Sequence, residues 1–331
     1  MADLDTADAA KLFHETPMRQ VATALARPLS ESDVKLSCYR PLDRRFLLVD
    51  SRFLDRHRPD LQDAWGVANV CLFSLPSGTG AGPAAWVHSG IPDRHGFRGS
   101  YGGYAFPLWD RRLGSQASNI NPGIIAGLAG AYGTEVAAQQ VFDAVATLLS
   151  SSSYTSRFGS DLEESFAHIP FPANMAAFEQ AARIGANIRE LESFTRVPKL
   201  EFRTAKLAGR ATGVTFVIPR PKDAFIESGD GTGAIPLQAD QSLRITGVPR
   251  RVFDFSVSGY RVLYRWLAAR DGEAIDVALQ RATLDIVWRI QELLTLFDEA
   301  DAVLAKALTN PLTRTALGLP SLGQDAPAPV E

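Results

Sequence analysis

Asp298-Glu299-Ala300-Asp301 spells the acidic box with which helicases hold Mg²⁺ and activate water. That chemistry also needs a Gly-rich loop ending in Gly-Lys-Ser/Thr to hold the phosphates, and the chain has none. The box falls inside a helical period that puts Phe297, Ala300 and Leu304 on one stripe, so its acids read as a solvated face. The runs Gly78–Gly82 and Gly229–Gly233 resemble phosphate nests. Neither opens a βαβ unit with an acid about 20 positions on, as a dinucleotide site requires, and both read as surface loops. Pro59-Asp60 and Pro92-Asp93 supply half of a PD…(D/E)xK nuclease motif, but Asp33-Val34-Lys35 precedes them, which is the wrong order. Asn121-Pro122-Gly123 lacks the second proline and the aromatic with which adenine methyltransferases hold a flipped base. His57 and His95 each follow an Asp-Arg pair, yet no GxSxG elbow offers a nucleophile. Cys38 and Cys71 are the two cysteines, and no CxxC or HxxxH spacing points to zinc. No catalytic set, cofactor or metal is expected.

What stands out is the density of arginine and aromatic residues over positions 40–112. Asp93–Trp109 packs four glycines, Arg94, His95, Arg98 and five aromatics into one short stretch. Arg40, Arg44, Arg45, Arg52, Arg56, Arg58, Arg111 and Arg112 alternate with Asp43, Asp50, Asp55, Asp60, Asp63 and Asp110. Arg forks onto phosphates and guanine edges. Two readings stay open: a lattice of surface Arg–Asp pairs, or arginines that aspartates hold in position to contact DNA phosphates.

The elements that must position these residues follow from pattern. At 331 residues and 46% hydrophobic content the chain can bury a sizeable core in one large domain or two ordinary ones. Its net charge of −3 argues against a protein coated in nucleic acid, but not against a local basic face. The six lysines against 28 arginines fit either phosphate recognition or high-GC codon usage. No apolar run is long enough to span a bilayer, and no secretory segment opens the chain. Together with the cysteine usage this places the protein in a reducing cytoplasm.

The fold class predicted is mixed α/β (α+β). A lead-in covers residues 1–30, and a β-rich part covers 31–115 with strands at Arg45–Val49, in VANVCLFSL, in AAWVHSGI and at YAFPL. The second part, 116–308, begins with helices. Asn121-Pro122 starts one that stops at Gly133. Others carry the stripes Val141/Phe142/Val145/Leu148/Leu149, Tyr154/Phe158/Leu162/Phe166 and Phe178/Ala181/Ile184/Ile188/Leu191. Strands are predicted in GVTFVIPRP (213–221), SLRITGV (242–248) and RVFDFSVSGY (251–260). A short helix then precedes a long one over 276–308, with the stripe Ile286/Ile290/Leu293/Phe297/Ala300/Leu304. Residues 309–331 read as a disordered tail.

The order of these segments carries a family resemblance. CYRPLDRRFLLVDSRFLDRHRPDL (38–61) resembles the YRPFD-R-aromatic segment of type ISP restriction-modification enzymes. FRGSYGGYAFPLW (97–109) is similar to that family's Gly-rich lead into an aromatic-Pro-Leu strand, and NINPGIIAGLAGAYG (119–133) to its Asn-Pro helix. YTSRFGSDLEESFAHIPFP (154–172) resembles the helix ending in an Ile-Pro-apolar-Pro turn, a turn also similar to one in type I specificity subunits. GVPRRVFDFSVSGYRVLYRWLAARDG (247–272) resembles a Gly-apolar-Pro…Gly-Tyr-x-Val-Leu-x-x-Trp-Leu block. Five blocks stand in the family's order across roughly 28–308. The stretch PKDAFIESGDGTGAIPLQAD (221–240) departs from the pattern by lacking its short aromatic segment.

The resemblance implies a target recognition domain that reads an asymmetric duplex sequence. Nuclease, helicase and methyltransferase modules are not in this chain, so a separate methyltransferase or nuclease/helicase chain is the expected partner, beside double-stranded DNA and no membrane. Arg40, Arg44, Arg45, Arg94, His95, Arg98, Tyr101 and Tyr104 are the candidate DNA contacts. The rival readings are a protein–protein adaptor of a defence complex, docking through its last helix, and an enzyme with an unrecognised site.

Overall fold

The computed structural model describes residues 30–49, 59–65, 68–97, 102–114 and 117–319. The lead-in before residue 30 and the arginines at 52, 56, 58 and 98 lie outside the described residues. Strands β1 (Val34–Arg40) and β2 (Asp43–Leu48) form an antiparallel hairpin. A short helix α1 (Pro59–Ala64) leads to β3 (Cys71–Ser74) and β4 (Ala85–His88). The chain then steps through β5 (Ile91–Pro92), which pairs parallel to β1, into β6 (Tyr104–Pro107). Two three-stranded sheets result, ordered β2-β1-β5 and β4-β3-β6.

The centre is helical because its apolar residues repeat on one face. In α2 (Pro122–Tyr132) the Asn121 side chain accepts from the Gly123 N–H at 2.8 Å, and Gly133, at φ 68°, closes the helix in the left-handed region. Helices α3 (Ala138–Ser150) and α5 (Met175–Glu192) cross in close contact, with α4 (Ser152–Glu164) between them in sequence. At the crossing Thr147 Oγ1 donates to the Ala181 carbonyl at 2.6 Å, and Arg189 forks onto Asp143 at 2.7 and 3.2 Å. A Cβ on Gly185 would stand 1.7 Å from the Asp143 carbonyl oxygen, so only glycine lets the backbones meet here. The predicted α4 ends before Phe166 and kinks at Phe158, so Phe166 lies in the following turn, not on the helix.

The second sheet is ordered β7-β10-β9-β8, from β7 (Lys206–Gly209), β8 (Ile226–Glu227), β9 (Thr232–Pro236) and β10 (Leu243–Pro249). The strand predicted over 213–221 is not one: residues 214–217 make one bridge, from Thr215 to Ala274, and split their other backbone bonds between 272–275 and Leu237. Pro219 and Pro221 have no N–H with which to extend either pairing. Nor is RVFDF extended. It forms α6 (Arg250–Asp254), where Arg250 Nε meets Asp254 at 2.5 Å one turn on and Val252 and Phe253 are buried. The strand character resumes only at β11 (Ser256–Val257), which turns through Ser258-Gly259 into β12 (Tyr260–Arg261).

After α7 (Val262–Ala268), α8 (Val277–Thr309) runs along the molecule. Its predicted stripe, Ile286 to Leu304, is fully buried against α3, α5 and the second sheet. The acidic box is spent on structure: Asp298 pairs with Arg251, and Asp301 accepts from Ser151 Oγ at 2.5 Å and the Ser153 N–H at 3.0 Å. The tail predicted to be disordered from 309 is packed as far as residue 319. Leu312 donates to the Phe171 carbonyl, Pro311 bridges Pro172, and Leu317 is buried beside Gly127. Burial of Leu317 supplies what its polar neighbours lack. No helix among the described residues is long and apolar enough to cross a membrane.

Two buried groups in this core set opposite pH dependences. Glu192 Oε2 accepts from the Val87 N–H at 2.6 Å while Oε1 has no partner, and burial pushes its pKa well above the usual carboxylate value. Its stabilising part is present below the unfolded carboxyl pKa and is lost as pH rises through the folded one. Burial pulls His88 down to about 3, so its part is present above about 6.5 and lost as pH falls toward 3. Glu192→Gln is therefore expected to gain stability relative to the parent as pH rises from 5 to 8. Urea midpoints at the two pH values test this, and a pH-independent difference would refute it.

Candidate nucleic-acid interface

The hairpin carries three of the eight sequence-read residues. Its register sets Arg44 opposite Cys38, Arg45 opposite Ser37 and Asp43 opposite Arg40. Asp43, 2% exposed, accepts from Arg45 Nε at 3.1 Å and from Arg270 at 2.8 Å. Arg270 lies 3.5 Å over the Trp266 ring, so its cation is held on two sides. Arg45 is fixed at one edge yet remains 41% exposed, leaving its other edge open to solvent. Arg40 stacks 4.0 Å over Tyr39 and reaches Asp93 Oδ1 at 2.9 Å, tying the hairpin to the turn after β5. Arg44 lies 3.9 Å over the Phe194 ring, which it shares with Arg289, and burial lowers its pKa.

The turn at Asp93 builds the second half of the surface. Asp93 Oδ1 also accepts from the His95 N–H at 2.8 Å, and the Arg94 carbonyl accepts from the Gly103 N–H at 2.7 Å. A Cβ on Gly103 would sit 2.1 Å from the Phe73 ring, and one on Gly102 2.5 Å from Arg94 Nε. These glycines therefore serve close packing: one against the core ring, the other beneath an exposed arginine. Arg94 has no carboxylate within ion-pair distance among the described residues. His95 is half-buried, with Nδ1 unpartnered. Tyr104 is 57% exposed and meets Phe166 edge-to-face at 5.5 Å, as Phe106 does at 5.8 Å.

YAFPL thus enters the core only in part. It is a strand, but Tyr104 and Phe106 face outward and burial begins at Pro107 and Leu108. Arg98 and Tyr101 lie outside the described residues. The structure ties Arg45 to Asp43, and Arg40 and the His95 N–H to Asp93, with Arg94 beside them and Tyr104 next to the Gly103 contact. Arg44 instead packs on Phe194 and touches neither aspartate. The two readings of the arginines merge here: Asp43 and Asp93 are partners of Arg270 and Arg40, and Asp43 also orients the guanidinium of an exposed Arg45. The exposed guanidinium groups of Arg45 and Arg94 have the chemistry to pair with an anion. Among the described residues no group of three or more His, Cys, Asp or Glu is arranged to hold a metal.

Pattern reasoning missed Arg270, Trp266 and Phe194, which lie far along the chain from the hairpin they support. It also missed exposed cations on the second sheet. Their signal was the alternation in LRITGV, where Leu243, Ile245 and Val248 are buried and Arg244 is not.

Comparison with known proteins places the fold and the family. No curated protein matches the sequence. Several solved structures share the fold. Three of them are a nuclease-deletion mutant of the type ISP restriction-modification enzyme LlaGI with a DNA substrate mimic (17% identity, TM-score 0.61), the ATP-dependent type ISP enzyme LlaBIII bound to DNA (15%, 0.63) and a cryo-EM DrdV–DNA complex (16%, 0.64). The matches cover 85%, 89% and 94% of this chain but 22%, 21% and 32% of those chains, so it spans about a fifth to a third of its neighbours' length. The model of the type ISP C-terminal specificity domain matches residues 5–292. The chain belongs to the family of type ISP C-terminal specificity domains.

Proposed function

We propose that this protein is the sequence-reading component of a bacterial restriction-modification or anti-phage system, binding double-stranded DNA without catalysing its cleavage or methylation. The observation that carries this reading is the specificity-domain match over residues 5–292. It is supported by three neighbours of the same fold that were solved with DNA. The surface bearing Arg45, Arg94 and Tyr104 is where we place DNA contact, with Arg40, Arg44 and His95 supporting it and Arg98 and Tyr101 in the same stretch of chain. Affinity then comes mainly from arginine–phosphate contacts, and specificity from a few base-edge contacts in the major groove. Nuclease, translocase or methyltransferase chemistry falls to a separate chain.

The test is selection from a randomised duplex library by the purified chain at 50 and 200 mM salt. The expected result is an enriched asymmetric motif, with affinity falling about a thousandfold between the two concentrations if five or six phosphates are contacted. Retention without a motif would assign base reading to a partner. No retention at either salt would overturn DNA recognition in favour of an adaptor role.

A further inference from the structure

In the sheet β7-β10-β9-β8, β9 is buried on both sides, whereas β7 and β10 have one face on the body of the protein and one toward solvent. Leu207, Leu243, Ile245 and Val248 point inward, and Trp288 Nε1 on α8 donates to the Ala205 carbonyl at 3.0 Å just before β7. Alternation therefore turns Lys206 and Ala208 on β7, and Ser242, Arg244 and Thr246 next to and on β10, to the other side. The register sets Lys206 opposite Thr246 and Ala208 opposite Arg244. Two cations and a hydroxyl thus lie on neighbouring strands about 4.8 Å apart, with Arg210 exposed at the end of β7.

Like Arg94, Arg157 and Arg203, and unlike about half of the described arginines, these cations lack a counter-charge among the described residues. Arg40, Arg45, Arg112, Arg189, Arg196, Arg250, Arg251, Arg261, Arg270 and Arg289 each sit on a carboxylate. Lys206, Arg210 and Arg244 have no carboxylate within 4.0 Å among the described residues. Asp240, past the end of the row, is occupied by Thr212 Oγ1 and Ser242 Oγ, both at 2.6 Å. The strand β7 is also the sheet's edge, so no further strand covers it.

We infer that the outward face of β7 and β10, through Lys206 and Arg244 with Arg210 at its end, is a second DNA contact, one that grips phosphates and reads no bases. This rests on the DNA-recognition reading above and extends it to a surface that sequence pattern did not select. Cations without partners, spread along strands beside hydroxyl donors, suit a polyanion with regularly repeated charges. The Lys206 ammonium carries no fork with which to tell one base from another, and Arg244 and Arg210 have no described carboxylate to hold their forks in one plane against a base edge.

The test is the Lys206→Ala/Arg244→Ala double variant of the full chain, with duplex affinity measured from 50 to 200 mM salt. Both side chains are exposed, so folding should be unaffected, and a melting curve checks that. The slope of log affinity against log salt is expected to fall by about 2, with equal losses on a selected duplex and a scrambled one. Arg157→Ala, on α4 at the other end of α8, should leave the slope unchanged. A parent slope retained in the double variant would overturn the inference while leaving DNA recognition intact, and a loss confined to the selected duplex would overturn the backbone assignment. A parent chain that binds no duplex at 50 mM salt would overturn both readings.

Discussion

Gly185→Ala is expected to destabilise the protein by about 3 kcal/mol or more, the upper part of the range for overpacked cores. On intrinsic propensity alone the change would help, since alanine is favoured over glycine inside a helix by about 1 kcal/mol. Sterics decide the sign. The added methyl would lie 1.7 Å from the Asp143 carbonyl oxygen and 2.8 Å from its Cα, both backbone atoms of α3 that no rotamer change can move. Relief requires α3 and α5 to separate, which strips contact from Phe142, Phe178 and Ile188 and stretches the Thr147 to Ala181 bond. Gly130→Ala and Gly159→Ala form the internal control. Both are helical, and a Cβ at either meets nothing within 4 Å. Those two should raise the urea midpoint slightly while Gly185→Ala lowers it sharply. Equal behaviour of all three would refute the close crossing.

Asp43→Ala is expected to cost about 3–5 kcal/mol, the usual result of removing one partner from a buried ion pair. Asp43 is 2% exposed and Arg270 11%, so deletion leaves Arg270 with Trp266 but no anion in a site that water barely reaches. Arg45 would lose its anchor as well, at smaller cost because its head is already partly solvated. The pairing itself is tested by adding Arg270→Ala. The double variant should be less destabilised than the sum of the two singles by more than about 1 kcal/mol. Additive losses in denaturant melts would mean that the two charges do not depend on each other.

The same triad shows where sequence reading stops. One strand of the hairpin, the capped helix α2 and the stripes of α3, α5 and α8 were legible because each is written in local spacing: a cap two residues from its N–H, or apolar residues one turn apart. Arg270 is 227 positions from Asp43, and no spacing rule links them. Residues 213–221 misled by the opposite route. GVTFVIPRP alternates like a strand, yet its backbone bonds are split between two segments, two prolines cannot extend either pairing, and Val214 is left in solvent. In RVFDF an apolar run too short for periodicity to decide was settled by the Arg250–Asp254 contact across one helical turn. At the candidate surface the residue types were right, but the sequence held no sign of which arginines were already bound. Arg40 lies on Tyr39 and Asp93, whereas Arg94, with the same neighbours in composition, is free of any described carboxylate.

The 33 residues of α8 span about 50 Å at 1.5 Å per residue. Just before its middle Trp288 and Gln291 hold the start of β7; toward its C-terminal end, Asp301 holds the start of α4 and Lys306 meets Gln180 on α5. The helix therefore works as a ruler with a phase. One inserted residue between Leu294 and Ala300 would lengthen it by only 1.5 Å, but would swing one set of attachments about 100° relative to the other. Changes of length are tolerable only in whole repeats of the buried stripe, while loops at either end can vary freely. If the protein reads DNA as proposed, a new site would be reached by altering what the ruler carries, with the separation it measures kept constant.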